Sequence, residues 1–202
     1  FGPIINHPDV RRMLLAMESQ AAAGRLMYLE TGLEIDKAHG GDAAAQAFVD
    51  FVTPIIKFWG TEMAVEAAST CIQVHGGMGY IEEGGAAQFL RDARILPIYE
   101  GTNGIQANDL VFRKIQRDGG QAAEAFIKAG EAVLKEVRET PGEDFETMRI
   151  SLATGLEALR TASDQILRQG RENQTGRTGA IAVPAAQLFG IVYGGIVLCR
   201  AA

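Results

Sequence analysis

Apolar residues recur at three- and four-residue spacing along almost the whole chain and nowhere alternate as in a strand. Over "NHPDVRRMLLAMESQAAAGRLMYLETGLEIDKAHGG" the stripe Val10, Met13, Leu14, Met17, Ala21 and Gly24 predicts a long helix. Asn6 or His7 caps it, Pro8 suits its first turn, Asp9 sits near the positive end of the dipole, and Gly40-Gly41 stop it. Met13, Met17 and Met27 are expected in the core. A second helix runs from a cap at Asp42 to about His75, with Pro54 starting a fresh turn or kinking it. Its stripe of Ala64, Ala68, Cys71, Ile72 and His75 contains small residues, which imply a close neighbouring helix. "GGMGYIEEGG" is a turn-rich break. "AAQFLRDARIL" forms a short helix ending near Pro97, "IYEG" a loop, and Thr102 or Asn103 caps a helix through "GIQANDLVFRKIQR". Gly119-Gly120 mark a boundary between residues 1–118 and residues 119–202. Three more helices follow, at Gln121–Glu139, at about residues 143–169 and from about Ala180 onward. "QGRENQTGRTG" serves as a polar, flexible linker before the last. The fold class expected is all-α, an antiparallel helical bundle followed by additional helices.

Composition narrows the function. The chain has 202 residues, 47% of them hydrophobic, and a formal net charge of −6. Lys and Arg are scattered among acids, so a nucleic-acid partner is not expected. Cys71 and Cys199 are far apart in apolar surroundings, which favours a reducing compartment such as the cytoplasm. His7, His39 and His75 have no metal-ligand spacing, so no metal site is expected. The first residue is Phe1 rather than Met, no signal peptide is read, and "LCRAA" carries no helix stop. Both ends read as cuts, as in a piece of a longer polypeptide. "AIAVPAAQLFGIVYGGIVLC" carries no charge, a length that could span a bilayer. Pro184, Gln187, Tyr193 and the Gly194-Gly195 pair favour a buried helix instead, and a membrane partner is not expected.

The chemistry lies in "QVHGGMGYIEEGGAAQFLRDARILPIYEGTNGIQ". Glycines let backbone amides come close to an anion and adopt positive φ, although such a cluster is also a helix C-cap and tight turn. Glu100, taken alone, reads as a solvated acid just ahead of a helix, where the dipole favours it. The ordered string changes both readings. Gln73, Gly76, Gly77, Gly79 and Tyr80 are followed by Arg91-Asp92-Ala93-Arg94, by Tyr99-Glu100-Gly101-Thr102 and by Ile105-Gln106. This string strongly resembles the C-terminal helical domain of the acyl-CoA dehydrogenase family, and the resemblance extends from about Phe1 to Arg117. The later part, including "LFGIVYGGIVLCRAA", resembles the extra helical domain of a subset, the 3-methylmercaptopropionyl-CoA dehydrogenases and related large bacterial enzymes.

The resemblance implies FAD-dependent oxidation of an acyl-CoA thioester to the trans-2-enoyl-CoA. It implies Glu100 as the base that removes the proton beside the carbonyl. Enclosure by an acyl chain and a flavin ring would raise the pKa of that carboxylate towards working pH. Gly101 lets the thioester come close, and the backbone N–H of the base, with a flavin hydroxyl, polarises its carbonyl. Gln73, Val74, His75, Gly76 and Gly77 are implied FAD contacts, commonly to the flavin of a neighbouring subunit, with His75 packing beside the cofactor. Thr102, Asn103 and Gly104 are implied as a second FAD contact, and Gly104 departs from the Gln or Glu many members carry there. Arg91 and Asp92 are expected to make ion pairs holding the short helix against the base loop. The implied partners are an acyl-CoA substrate, electron-transfer flavoprotein as electron acceptor, and copies of the chain in a homodimer or homotetramer. Members also have an N-terminal helical and a middle β domain, so this piece alone is expected neither to retain FAD nor to turn over substrate. The alternatives are an acyl-CoA oxidase of the same superfamily and a non-catalytic helical assembly module. The presence of Glu100 speaks against the module.

Overall fold

The computed structural model describes residues 2–202. After a 3-10 turn at Ile4–Asn6 come α1 (Pro8–His39), α2 (Ala43–His75), α3 (Gly77–Tyr80), a 3-10 turn (Glu82–Gly84) and α4 (Ala86–Arg94). Then follow α5 (Asn103–Asn108), continuing directly into π-helical turns at Asp109–Gln116, α6 (Gln121–Glu139), α7 (Asp144–Arg171) and α8 (Thr175–Ala201). Among the described residues there is no strand, as the hydrophobic period predicts.

The local signals account for most boundaries. Pro8 stands in the first turn of α1. The Asp42 carboxylate accepts from the backbone of Ala44 and Ala45 at 2.9 and 3.0 Å, starting α2. The Thr102 hydroxyl accepts from Ile105 N–H at 3.4 Å, opening α5. Pro54 does not break α2, which runs unbroken through it. Phe51, Val52, Ile55, Phe58 and Trp59 around it are buried. Tertiary packing thus outweighs the cost of an interior proline, roughly 3 kcal/mol.

Short connections make α1–α2, α6–α7 and α7–α8 antiparallel hairpins whose helices pack on one another. α8 packs against α1, α2, α5, α6 and α7. Its uncharged run is the central helix of this core: Ala182, Ala185, Ala186, Phe189, Val192, Tyr193, Ile196 and Val197 are all buried. Phe51 of α2, Phe126 of α6, and Phe189 and Tyr193 of α8 form an aromatic cluster with ring centroids 5.4 to 6.0 Å apart. One hydrophobic core therefore continues across Gly119-Gly120, both of which have positive φ.

Three expectations change. The polar stretch before the last helix is largely helical, since α7 extends to Arg171 and α8 begins at Thr175. Gln116 explains part of this. Its side-chain amide donates to Ile166 O at 2.9 Å and to the Thr178 hydroxyl at 3.2 Å, tying both helix ends to the π segment. The glycine-rich break holds a turn of helix, α3, rather than turns alone. In α1 the predicted stripe is only half-covered, and the fully buried positions are Ala23, Met27 and Thr31 further along. Met27 is core as expected, while Met13 and Met17 remain partly exposed.

Candidate active site

Glu100 stands at the apex of a loop between α4 and α5. Its φ is +54°, and Gly101 follows at +83°. A side chain beyond glycine in the left-handed region costs roughly 1–2 kcal/mol, so the fold imposes this conformation on Glu100. The neck of the loop is closed by Asn103 N–H donating to Pro97 O at 3.0 Å. Pro97 is buried, while residues 98–102 are exposed. Ile98 and Tyr99, which precede Glu100 in the loop, and Ile105, in the first turn of α5, are exposed apolar residues.

The Asn103 side chain points inward and is only 6% exposed. Its amide donates to the Thr61 hydroxyl and to a Glu62 carboxylate oxygen, each at 2.8 Å. Its carbonyl oxygen accepts from the Lys57 ammonium at 3.2 Å. Lys57 also donates to Leu96 O at 2.9 Å. Asn103 thus anchors the loop to α2, leaving Thr102 and Gly104 as the exposed members of the implied second FAD contact. Sequence reasoning missed Lys57, Thr61 and Glu62. Their 57, 61, 62 spacing on one helix face was a weak signal, and their partner is some forty residues away.

Arg91 and Asp92 do not hold α4 to the base loop. Arg91 bonds the Gln88 side chain at 2.7 Å and lies 3.8 Å from Glu82, and Asp92 accepts from Gln88 at 2.6 Å. These exposed contacts stay within α4 and the turn before it, because one turn of helix places 88, 91 and 92 on a single face.

The glycine cluster caps α2. Gly76 has φ +61°, and its N–H donates to Gln73 O at 3.1 Å. A Cβ at Gly76 or Gly77 would meet no atom within 4 Å, so the backbone there is open to approach. Gly79 differs: a Cβ would lie 2.5 Å from Ile72 O, so only glycine packs there. Gln73, His75, Gly76 and Gly77 are exposed and Val74 is half-buried. The His75 ring bonds Cys71 O at 2.8 Å through Nδ1, which must then carry the proton, and Nε2 is left without a partner among these bonds.

The structure does not bring the two segments together. The loop is anchored at Glu62 and the glycine turn lies at Gly76, fourteen residues on, or roughly 20 Å along the helix at 1.5 Å per residue.

A family model described as "Acyl-CoA dehydrogenase, C-terminal domain" matches residues 1–114, more than half of the chain and all of both segments. The chain belongs to the acyl-CoA dehydrogenase family. It is 48% identical over 173 residues to 3-methylmercaptopropionyl-CoA dehydrogenase of Ruegeria pomeroyi, covering 81% of this chain and 29% of that protein. It is 41% identical over 125 residues to the broad-specificity linear acyl-CoA dehydrogenase FadE5 of Mycobacterium tuberculosis, covering 59% of this chain and 20% of that protein. The crystal structure of Caenorhabditis elegans ACDH-11 in complex with C11-CoA superposes with a TM-score of 0.81 at 24% identity, over 96% of this chain and 32% of that one. That last likeness speaks to the fold alone, and it reaches beyond the 114 residues of the family match. The chain therefore spans about 29% of the length of its Ruegeria relative. In this acyl-CoA dehydrogenase domain the helices after Gln116 are integral to the core that holds α2.

Proposed function

We propose that the protein carrying this chain performs FAD-dependent α,β-dehydrogenation of an acyl-CoA thioester, with Glu100 as the base. The observation that carries the reading is the Glu100 carboxylate, forced into φ +54° at the apex of an anchored loop with apolar neighbours. Such strain is retained where the surroundings over-determine it, and it clusters at functional sites. The Ruegeria and Mycobacterium relatives are both acyl-CoA dehydrogenases by name, which supports the reaction class.

Glu100 takes the α-proton of the bound thioester onto a carboxylate oxygen. The exposed apolar side chains of Ile98, Tyr99 and Ile105 offer surface to an arriving acyl chain, whose burial excludes water from the loop. The Glu100 backbone N–H polarises the thioester carbonyl, and the bare Gly101 leaves room for it. Bound FAD would supply the hydride acceptor for the β-hydrogen, which balances the two-electron oxidation to the enoyl thioester. The open backbone of Gly76 and Gly77, with Gln73, Val74 and His75, fits one flavin contact, and Thr102 and Gly104 fit another. The separation of roughly 20 Å along α2 favours assigning these to the flavins of two different subunits of a homo-oligomer. Electrons then pass to electron-transfer flavoprotein in a bacterial cytoplasm.

The test uses the full-length protein. Glu100→Gln is expected to retain FAD while acyl-CoA no longer bleaches the flavin without oxygen. Bleaching at the native rate in that variant refutes the assignment. A panel of short, long and sulfur-containing acyl-CoAs defines the substrate.

A further inference from the structure

We infer that Lys57 is the positioning residue that holds Glu100 in place for proton abstraction; this rests on the reading of Glu100 as the base. One ammonium group grips both ends of the catalytic loop. It donates to Leu96 O at 2.9 Å, where the chain leaves α4, and to Asn103 Oδ1 at 3.2 Å, where α5 begins. Between these points residues 98–102 are exposed, so the loop has little packing of its own. Its shape depends on the neck.

The orientation of Lys57 is unusual for a lysine. Its ammonium is strongly hydrated, and long basic side chains normally extend their heads into water. Lys57 is half-buried and turned onto a carbonyl and an amide. Among the described residues no carboxylate forms a direct ion pair with it. Glu62 meets it through Asn103: the amide N–H group faces the carboxylate and the amide oxygen faces the ammonium. The two charges thereby fix which way the Asn103 amide points. They make Lys57, Asn103 and Glu62 one unit on which the first residue of α5 sits. Charge-assisted bonds are roughly twice as strong as neutral ones, so this unit is the firm part of the neck.

Losing it should misplace the base more than it weakens binding. A displacement of about 1 Å at a reacting group costs on the order of 10²-fold in rate. In the FAD-loaded full-length protein, bleaching is followed anaerobically by stopped flow. The probe is butyryl-CoA, octanoyl-CoA or 3-methylmercaptopropionyl-CoA, whichever reacts fastest with the unaltered protein. Lys57→Met is expected to lower the limiting rate roughly ten- to hundredfold, with half-saturation and FAD content changed less than about threefold. Arg160→Met serves as the control. It removes ion pairs to Glu124 and Glu131 within the α6–α7 hairpin and should lower the melting temperature without slowing bleaching.

A second set of variants applies should Lys57→Met lose its flavin. Asn103→Asp places a carboxylate against Glu62 and should slow bleaching. Adding Glu62→Gln supplies a donor to the new carboxylate and should restore the rate to within about threefold of native. A native limiting rate in Lys57→Met, or no recovery in the double variant, overturns the inference. If Glu100→Gln is inactive while Lys57→Met is fully active, only the positioning role fails. If Glu100→Gln is itself active, the base assignment fails first.

Discussion

Alanine at Gly190 and alanine at Gly195, five residues apart on α8, should change stability in opposite directions. A Cβ at Gly190 would lie 2.4 Å from both Cβ and Cγ of Trp59 and 2.5 Å from Cδ1. Carbon atoms in contact prefer about 3.5–4.0 Å, so the overlap is about 1 Å. The atoms hit include the Cβ stem of Trp59, which no rotamer change can move away. Relief requires α2 and α8 to separate, which also loosens Phe51 and Phe189, whose rings lie 5.7 Å apart across the same contact. Overpacking of this kind costs roughly 1–3 kcal/mol. Alanine recovers at most about 1 kcal/mol through helix propensity. The unmovable stem puts the clash at the upper end of the overpacking range, with a net loss of about 2 kcal/mol, or roughly 4–8 °C in melting temperature for a chain of this size. At Gly195 a Cβ meets nothing within 4 Å. Only the propensity gain remains, and the melting temperature should rise by about 2–4 °C. Thermal melts by circular dichroism measure both. Trp59 is the single tryptophan, so its emission gives a local check: Gly190→Ala should shift it and Gly195→Ala should not. If both variants are stabilised alike, or if Gly190→Ala leaves the Trp59 emission unchanged, the close α2–α8 contact is wrong.

Glu100→Gly should abolish bleaching without lowering the melting temperature, because relief of left-handed strain of roughly 1–2 kcal/mol offsets the entropy of the added glycine, roughly 0.5–1 kcal/mol. A drop above about 4 °C would show that the side chain itself supports the fold. Burial pushes the Tyr193 hydroxyl up from 10.0 to about 12, aided by the nearby Glu34 charge and opposed by a hydrogen bond with Thr31. The folded state therefore holds this proton more tightly than the unfolded one, and its contribution is complete below pH 10 and is lost as pH rises through 12. Tyr193→Phe should flatten the fall in urea midpoint over that window, and an unchanged alkaline slope refutes the link. In mixed full-length oligomers, Glu100→Gln subunits combined with Gly76→Val subunits should regain bleaching if each site takes its base and its glycine turn from different copies. Mixtures as inactive as either parent would place both in one subunit.

The sequence carried those parts of the fold whose causes are local. Asp42 caps α2, Thr102 caps α5, and α6 spans Gln121–Glu139 as its periodicity predicts. Periodicity also found the apolar face of α1, but it could not say that only Ala23, Met27 and Thr31 would be fully buried, because that depends on what packs against it. The residues after α7 looked like a linker because they are polar and contain glycine, yet Gln116 bonds both Ile166 O and Thr178 from fifty and more residues away. The same limit hid the anchor of the loop. Glu100 could be singled out from its neighbours in the string, whereas Lys57 reads in sequence as one more charge on a helix and acquires meaning only from Leu96 and Asn103.

Three departures from ideal local structure fall on the elements that carry or anchor the proposed base, whereas Asn173, at φ +55°, stands apart in the α7–α8 turn. Glu100 adopts a glycine-like φ, Lys57 turns its charge inward, and α5 runs into a π segment at Asp109–Gln116. Natural chains break local rules mainly at functional sites, and π turns are frequent there. The π segment also has a packing consequence. Ala107, Leu110, Val111 and Ile115 are all fully buried against the helices around them. The far end of α5 is thereby fixed in the core while its near end is fixed to α2 through Asn103. An exposed six-residue helix, free at both ends, would be too short to hold a loop still, since helices of that length are marginal alone. Clamped at both ends it becomes a rigid arm. On this reasoning the helices that follow the family-matched region serve the proposed chemistry indirectly: α8 packs on α5 as well as on α2, so the part of the chain most remote from Glu100 in sequence stabilises the arm that carries it.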